Sequence, residues 1–180
     1  MKTVAVTGYK PHELGIFSKN HPGVHYIKKL LERELKVLID EGLEWVIVSG
    51  QQGVEMWAAE TVLELKEEYP DLKLAVLTPF FHQEEKWKDA AKEQYEMIMM
   101  EADFAESISK RPYESPKQFS MKNQFIIRKT DGMIMIYDEE KPGSPKFMLE
   151  AARKMTQENE YSIRLFSFYD LQNIVEELQE

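Results

Sequence analysis

The sequence predicts an α/β fold, a three-layer Rossmann-like sandwich with a mostly parallel central sheet. Two observations predict it. Short, nearly continuous apolar runs alternate along the chain with segments of helical apolar spacing. Continuous apolar runs are typical of strands covered on both faces, and their alternation with helices implies right-handed crossovers. Because no repeat or linker divides the chain, we expect one Rossmann-like nucleotide-ligand-binding domain spanning residues 1–180.

Five segments have the apolar composition of buried strands. They are residues 3–7, 45–49, 72–78, 133–137 and 162–167. Residues 103–108 are a candidate for one further short strand.

Four intervening segments carry apolar residues at the spacing of one helix face. They are residues 27–38, 54–65, 148–155 and 171–178. Gly42 follows the first of these and is typical of a helix end, and Pro70-Asp71 is expected to close the second. A fifth helix is expected from about Pro116 to Lys129, since proline suits the first turn of a helix.

Composition excludes several classes of function. The chain has 23 Lys and Arg against 32 Asp and Glu, a net charge of −9, which disfavours nucleic acid as a partner without excluding a local basic patch. The absence of cysteine excludes disulfides, thiolate nucleophiles and cysteine-bound metals. Apolar runs are far shorter than the roughly 20 residues that span a bilayer, and nothing resembles a signal peptide. We therefore expect a cytoplasmic protein with no membrane partner.

In parallel sheets, ligands bind beyond the carboxyl ends of the strands. Gly8, Tyr9 and Lys10 follow the first predicted strand, and Asp138 follows the fourth. Phe80-Phe81 follows the third and is suited either to stack a base or to pack in the core.

Positive charge for a phosphate is available from Lys10, Arg128 and Lys141, although a solvated surface position is the preferred interpretation of each one taken alone. The four histidines lack metal-ligand spacing, since Pro22 and Gly23 separate His21 from His25, and no metal is expected.

Two glycine-rich turns lead from strands into helices. Ser49-Gly50-Gln51-Gln52-Gly53 follows the second strand, and Gly143-Ser144 follows the fourth. A helix N-terminus offers unpaired N–H groups and partial positive charge to an anion. Each turn alone is equally compatible with a plain connection, with Ser144 as a helix cap. Their expected position at neighbouring strand ends favours an anion site.

Glu55 and Trp57 lie in the first turn after the glycines. Trp57 fits the apolar stripe and is either a core residue or a ligand contact. Glu55 suits the positive end of a helix or a ribose hydroxyl, and it is the only candidate for a catalytic carboxylate. Neither the dinucleotide fingerprint G-x-G-x-x-G nor the P-loop is present.

Taken together, residues 7–9, 49–57 and 121–127 and the Gly143-Ser144 turn resemble the YpsA-like family. This bacterial family belongs to the Rossmann-like superfamily that includes the LOG nucleoside-phosphate hydrolases and the DNA-processing protein DprA. The resemblance implies a nucleotide-like ligand at the two glycine-rich turns. Asn123 lies where DprA-like proteins carry an Arg-Asn-Arg stretch, but its neighbours here are Lys122 and Gln124.

We therefore expect regulatory binding or sensing of a nucleotide-derived small molecule, of the NAD or ADP-ribose type, without clear catalysis. The predicted ligand-binding residues are Gly8, Tyr9, Lys10, Ser49, Gly50, Gln51, Gly53, Glu55, Trp57, Asn123, Asp138, Gly143 and Ser144. The alternative is an enzyme that hydrolyses a nucleotide derivative with Glu55 as general acid/base. The adjacent glutamates of LOG hydrolases are absent, since Pro145-Lys146-Phe147 follows Ser144. A protein partner and a homo-oligomer are both compatible with this prediction.

Overall fold

The computed structural model describes residues 1–180 and has at its centre a six-stranded sheet in which every pairing is parallel. The strands are β1 (Thr3–Gly8), β2 (Trp45–Val48), β3 (Lys73–Thr78), β4 (Phe104–Ser107), β5 (Gly132–Ile136) and β6 (Ser162–Phe166). Their spatial order is β4-β3-β2-β1-β5-β6. All six predicted strands are present to within about a residue at each end, which is the accuracy expected of strand ends.

Six α-helices cover the sheet. They are α1 (Pro22–Asp40), α2 (Val54–Leu65), α3 (Asp89–Glu101), α4 (Lys117–Lys129), α5 (Lys146–Glu158) and α6 (Phe168–Gln179). A short 3₁₀ helix, Pro11–Leu14, follows β1. Helices α1, α2, α3 and α6 pack on one face of the sheet and α4 and α5 on the other, each face with its own apolar core. This confirms the predicted three-layer α/β architecture.

The central strands are covered on both faces because their side chains alternate between the two cores. Val4 and Val6 of β1 point into the core under α1 and α2, whereas Ala5 points into the core under α4 and α5. All three are almost completely buried. A strand buried on both sides needs apolar residues at every position, which explains the continuous runs in the sequence.

The structure differs from the predicted helices in two places. Helix α2 ends at Leu65, and Pro70-Asp71 lies in the turn that follows rather than closing the helix directly. Helix α3 was not predicted, because only Tyr95 and Ile98 are buried while other apolar residues, such as Met97 and Met100, are exposed, so the apolar residues do not mark one face. No helix has the length and apolar character needed to span a membrane.

The expected adjacency of the two glycine-rich turns is wrong. They follow β2 and β5, and β1 lies between these strands. After β1 the chain continues to β2, which pairs with one edge of β1, whereas the later strand β5 pairs with the other edge of β1. Such a reversal of strand order opens a crevice at the carboxyl edge of a parallel sheet, where ligands bind in this class of fold.

Candidate functional site

A pocket of about 370 Å³ lies at the carboxyl edge of the sheet, beside the end of β1. Its size is close to the lower end of the usual range for small-ligand sites. The segments that line it are the end of β1, the loops after β2 and β3, and the first turns of α4 and α5. Pro116, the N-cap residue of α4, and Phe119, Ser120 and Asn123 of the helix line it at the spacing of one helix face.

The buried carboxylate of Glu55 is fully engaged inside the protein. Its Oε1 accepts hydrogen bonds from the Ser49 amide (2.6 Å) and the Ser49 hydroxyl (2.7 Å), and its Oε2 accepts one from the Thr7 hydroxyl (3.0 Å). The carboxylate therefore joins the ends of β1 and β2 to the start of α2. This arrangement uses both oxygens for structure and leaves Glu55 poorly placed for proton transfer.

A second carboxylate occupies the predicted anion site at α5. Glu13 of the 3₁₀ helix accepts hydrogen bonds from the Ser144 amide (2.7 Å), the Ser144 hydroxyl (2.6 Å) and the Lys10 amide (2.8 Å). The serine hydroxyl thus donates to Glu13 and does not cap α5, whose N-cap residue is Pro145. At both glycine-rich turns, a carboxylate of the chain itself takes the place in which a phosphate was expected.

The Glu13 contact predicts a pH-dependent contribution to stability. Burial raises the pKa of Glu13, but the hydrogen bonds from Ser144 and Lys10 outweigh it and hold the pKa below its ordinary value of 4.5. A lowered carboxyl pKa stabilises the fold above the unfolded pKa and loses that effect as the pH falls through the folded pKa. We expect Glu13→Gln to lower the free energy of unfolding by about 1 kcal/mol at pH 7.

Chemical denaturation of both proteins between pH 7 and 3 measures this effect. The difference between wild type and Glu13→Gln should be constant well above the ordinary pKa of 4.5 and should shrink steadily as the pH falls below it. Glu41→Gln, an exposed carboxylate just after α1, is the control and should change little at any pH. A difference that persists undiminished at pH 3 would contradict a role for the ionised carboxylate.

Asn123 brings an unsatisfied polar atom to the pocket. The residue is only 9% exposed, and its side-chain oxygen Oδ1 has no hydrogen-bond partner. An unpaired buried acceptor costs roughly 1–3 kcal/mol. Asn123 lines the pocket, so a ligand that donates a hydrogen bond there would recover this energy.

The pocket is locally positive although the chain is acidic. Lys10 and Lys122 line it, and Glu55 is its only carboxylate. Burial lowers the pKa of the Lys122 amine, the repulsion of Lys10 acts in the same direction, and the attraction of Glu55 opposes both. Two further lysines, Lys117 and Lys146, are exposed next to lining residues. Two amines against one internally bonded carboxylate give a site that attracts anions.

Aromatic rings lie at the mouth of the pocket. Phe119 and Phe147 line it and remain 37% and 67% exposed. Phe119 also contacts the ring of Phe80 edge-on, with centroids 5.4 Å apart, and Phe80 packs against Tyr113 at 5.1 Å. Of the predicted aromatic pair Phe80-Phe81, Phe80 therefore packs against Phe119, and Phe81 does not line the pocket. Exposed rings of this kind offer flat apolar faces to a ligand.

The structure brings about half of the predicted ligand-binding residues together. Those that line the pocket are Gly8, Lys10, Ser49, Gln51, Glu55, Asn123 and Ser144. Those that do not are Tyr9, Gly50, Gly53, Trp57, Asp138 and Gly143. Trp57 is a core residue, and the buried Tyr9 hydroxyl bonds to the backbone of Asp138 and Lys141. Arg128 lies in the last turn of α4, and the Lys141 amine lies over the ring of Phe168.

Sequence reasoning missed several lining residues. They are Thr7, Pro79, Gln83, Pro116, Phe119, Ser120, Lys122, Pro145, Phe147 and Met148. Gln83 donates a hydrogen bond to the Ser49 carbonyl (2.9 Å) and so closes one side of the pocket. Two of these residues carry a usable signal in the sequence: Phe119 on α4 and Phe147 on α5 are bulky apolar residues that lie outside the buried apolar stripe of their helix.

Comparisons with known proteins agree with this architecture. The sequence model of the YpsA family, described as the YspA SLOG family, matches residues 4–171. UPF0398 proteins of Bacillus thuringiensis (strain Al Hakam) and Bacillus cereus (strain AH187) are each 59% identical over 179 residues, covering 99% of this chain and 97% of theirs.

A solved structure has the same fold. DNA processing protein A of Helicobacter pylori aligns with a TM-score of 0.55 and 18% identity, covering 98% of this chain and 80% of the other. DNA processing protein A of Helicobacter pylori binds single-stranded DNA in a unique mode.

This comparison corrects two predictions. The expectation of a sensor for an NAD-like or ADP-ribose-like small molecule, with nucleic acid disfavoured, is wrong: the protein with the matching fold binds single-stranded DNA. Net charge is a weak guide to partners because it averages over the whole surface, whereas binding depends on the charge at the site. The alternative of a hydrolase using Glu55 is also unsupported, since both carboxylate oxygens are held by Ser49 and Thr7.

The predicted resemblance, in contrast, is confirmed. The family model covers nearly the whole chain, the relatives are similar along their full length, and the sheet is the parallel one that the resemblance implied. This chain belongs to the YpsA family of SLOG proteins.

Proposed function

We propose that this chain binds single-stranded nucleic acid at the carboxyl edge of its sheet, with the pocket holding one nucleotide of the strand. The observation that carries the proposal is the combination of two amines, Lys10 and Lys122, with the exposed rings of Phe119 and Phe147 around one cavity. Proteins that bind single strands combine positive charge along the backbone path with aromatic rings on which bases stack.

Charge supports the backbone contacts. Lys10 and Lys122 lie within the pocket, and the exposed Lys117 and Lys146 extend the positive surface to either side of it. The one pocket carboxylate, Glu55, already accepts hydrogen bonds from Ser49 and Thr7. A phosphate at the mouth would therefore meet amines and not carboxylates.

The rings and the amide support recognition of a base. A base stacked on Phe119 or Phe147 would gain roughly 1–3 kcal/mol. The unpaired Oδ1 of Asn123 would accept a hydrogen bond from an amino or imino group of that base. The DNA processing protein of the same fold adds support of a general kind, since it binds single-stranded DNA. The cytoplasmic location and the organisation of residues 1–180 as one binding domain stay predictions.

Fluorescence anisotropy with labelled 20-nucleotide single strands tests the proposal. We expect Phe119→Ala to weaken binding roughly tenfold, because one stacking contact is lost. The matched control is Phe104→Ala, a ring that is 46% exposed at the start of β4, on the opposite edge of the sheet. It should bind like wild type. Absence of strand binding by the wild-type protein at low salt would overturn the proposal.

Salt dependence tests the role of the amines. Lys10→Ala should weaken binding and reduce the slope of log affinity against log salt by about 0.7, the contribution of one phosphate contact in a single strand. Lys36→Ala is the control, because Lys36 lies on α1 and pairs with Glu32 and Glu68. An unchanged slope in Lys10→Ala would place the strand elsewhere on the protein.

A further inference from the structure

Lys122 gives the pocket an amine that has no ion-pair or hydrogen-bond partner in the protein. It lies on α4 next to Asn123, is half-buried, and lines the cavity. No carboxylate lies within the 4.0 Å of an ion pair, and no hydrogen-bond partner contacts it. Surface lysines of this chain, such as Lys28 and Lys66, do pair with carboxylates. An amine without a bonded partner in a cavity is suited to react with an electrophile as well as to attract phosphate.

We propose that the ε-amine of Lys122 condenses with the C1′ aldehyde of a base-free deoxyribose in a bound single strand, forming an imine. This inference rests on the proposed function, because the strand must bring the sugar into the pocket. An intact nucleotide has no free carbonyl on its sugar, whereas a deoxyribose that has lost its base opens to an aldehyde. The substrate class is therefore an abasic site in single-stranded DNA.

The state of the amine favours the reaction. Only a neutral amine has a lone pair for attack on a carbonyl, and burial lowers the pKa of Lys122, which increases the neutral fraction at pH 7. Lys10, which also lines the cavity, acts in the same direction by repulsion. Glu55 opposes them, but its oxygens already accept hydrogen bonds from Ser49 and Thr7. Lys122 therefore has a larger neutral fraction than an exposed lysine, and it lines the cavity into which the sugar would enter.

The reaction balances without an oxidant or a reductant. The amine nitrogen attacks C1′, a carbon–nitrogen bond forms, and the aldehyde oxygen becomes a hydroxyl. That hydroxyl then leaves as water, which takes both hydrogens of the amine, and a C=N bond remains. Addition of water to the imine reverses the sequence and releases the strand.

The neighbouring amide fits the opened sugar. Ring opening frees a hydroxyl at C4′, which is a hydrogen-bond donor, and Asn123 Oδ1 is an acceptor without a partner. Both side chains belong to consecutive residues and line the same cavity. A volume of about 370 Å³ accommodates a sugar that carries no base. The cavity thus offers an amine for the aldehyde and an unpaired amide oxygen for the hydroxyl of one abasic unit.

Trapping with borohydride tests the inference. Borohydride delivers hydride to C1′ of an imine and converts it to a secondary amine that survives denaturing electrophoresis. The full-length protein is mixed with a labelled single strand containing one abasic site, then with borohydride, and adducts are counted per bound strand. We expect a covalent adduct with wild type, at least a tenfold loss in Lys122→Arg, and no loss in Lys129→Arg. Lys129 lies on the same helix but does not line the pocket.

Mass spectrometry of the wild-type adduct makes the test independent of how any variant folds. The added mass should lie on the peptide that contains Lys122. An adduct that maps to another residue, or that persists in Lys122→Arg, would overturn the inference. So would a wild-type protein that binds the abasic strand but forms no adduct, a result that leaves the proposed function intact. If no single strand binds at all, the proposed function itself fails.

Discussion

Replacing Gly53 by alanine is expected to lower the free energy of unfolding by roughly 3–5 kcal/mol. Gly53 precedes α2 with φ 94° and ψ −132°, a conformation that side chains strongly disfavour. An added Cβ would also overlap the Tyr9 carbonyl and lie 2.9 Å from Lys10 Cα and 3.0 Å from Pro11 Cδ. Since these are backbone and ring atoms, no side-chain rotation relieves the overlap.

The overlap would also disturb the pocket. The Tyr9 carbonyl accepts a hydrogen bond from the Val54 amide at the start of α2 (3.2 Å), and Lys10 lines the cavity. Pushing this segment away would separate α2 from the end of β1. Urea denaturation measures the free energy of unfolding. Thermal denaturation should show a fall in melting temperature on the order of 10 °C for a chain of this size.

Gly42→Ala is the matched control. Gly42 has a similar φ of 107°, but a Cβ there would meet nothing within 4 Å. Its replacement should cost only the backbone term, about 1–2 kcal/mol. Equal losses in the two variants would show that the contact with Tyr9 contributes nothing.

Replacing Glu55 by alanine is expected to lower the free energy of unfolding by roughly 3 kcal/mol. The change leaves the Ser49 amide, the Ser49 hydroxyl and the Thr7 hydroxyl without their shared acceptor. Glu55→Gln should cost less, about 1–2 kcal/mol, because the amide oxygen still accepts from Ser49 and the Thr7 hydroxyl can accept from the amide nitrogen. The order of the two losses identifies the hydrogen bonds as their cause.

Glu64→Ala provides the comparison for this series. Glu64 lies on the same helix, but its side chain is 69% exposed and pairs with Lys28 at the surface. Its loss should change the free energy of unfolding by less than about 0.5 kcal/mol. The same urea titrations measure all three variants. A loss below about 1 kcal/mol in Glu55→Ala would contradict a structural role for the buried carboxylate.

The strands were predictable from sequence because burial on both faces leaves a local signature. The run from Val4 to Val6 is apolar at every position, and each residue is buried in the structure. Helix α3 left no such signature: Tyr95 and Ile98 are its only buried residues, while Met100 faces outward. Helix prediction from pattern fails where a helix covers the sheet with so few contacts.

The candidate site was predictable only in part. Residues at strand ends, such as Gly8 and Ser49, were found because the carboxyl edge of a parallel sheet is a general site for ligands. Phe119 and Lys122 were missed because nothing in the sequence shows that this side of α4 reaches the pocket, and Asn123 of the same helix was found only through the family resemblance.

By itself, the sequence determined the sheet, its parallel strands, the family resemblance and the turns at the carboxyl edge, since these depend on local apolar pattern and on glycine. Only the tertiary structure decided what those turns hold. Ser144 binds Glu13 across 131 positions of sequence, and Thr7 binds Glu55 across 48. Hydrogen bonds between such distant residues exist only once the chain has closed on itself, because folding alone brings donor and acceptor within bonding distance.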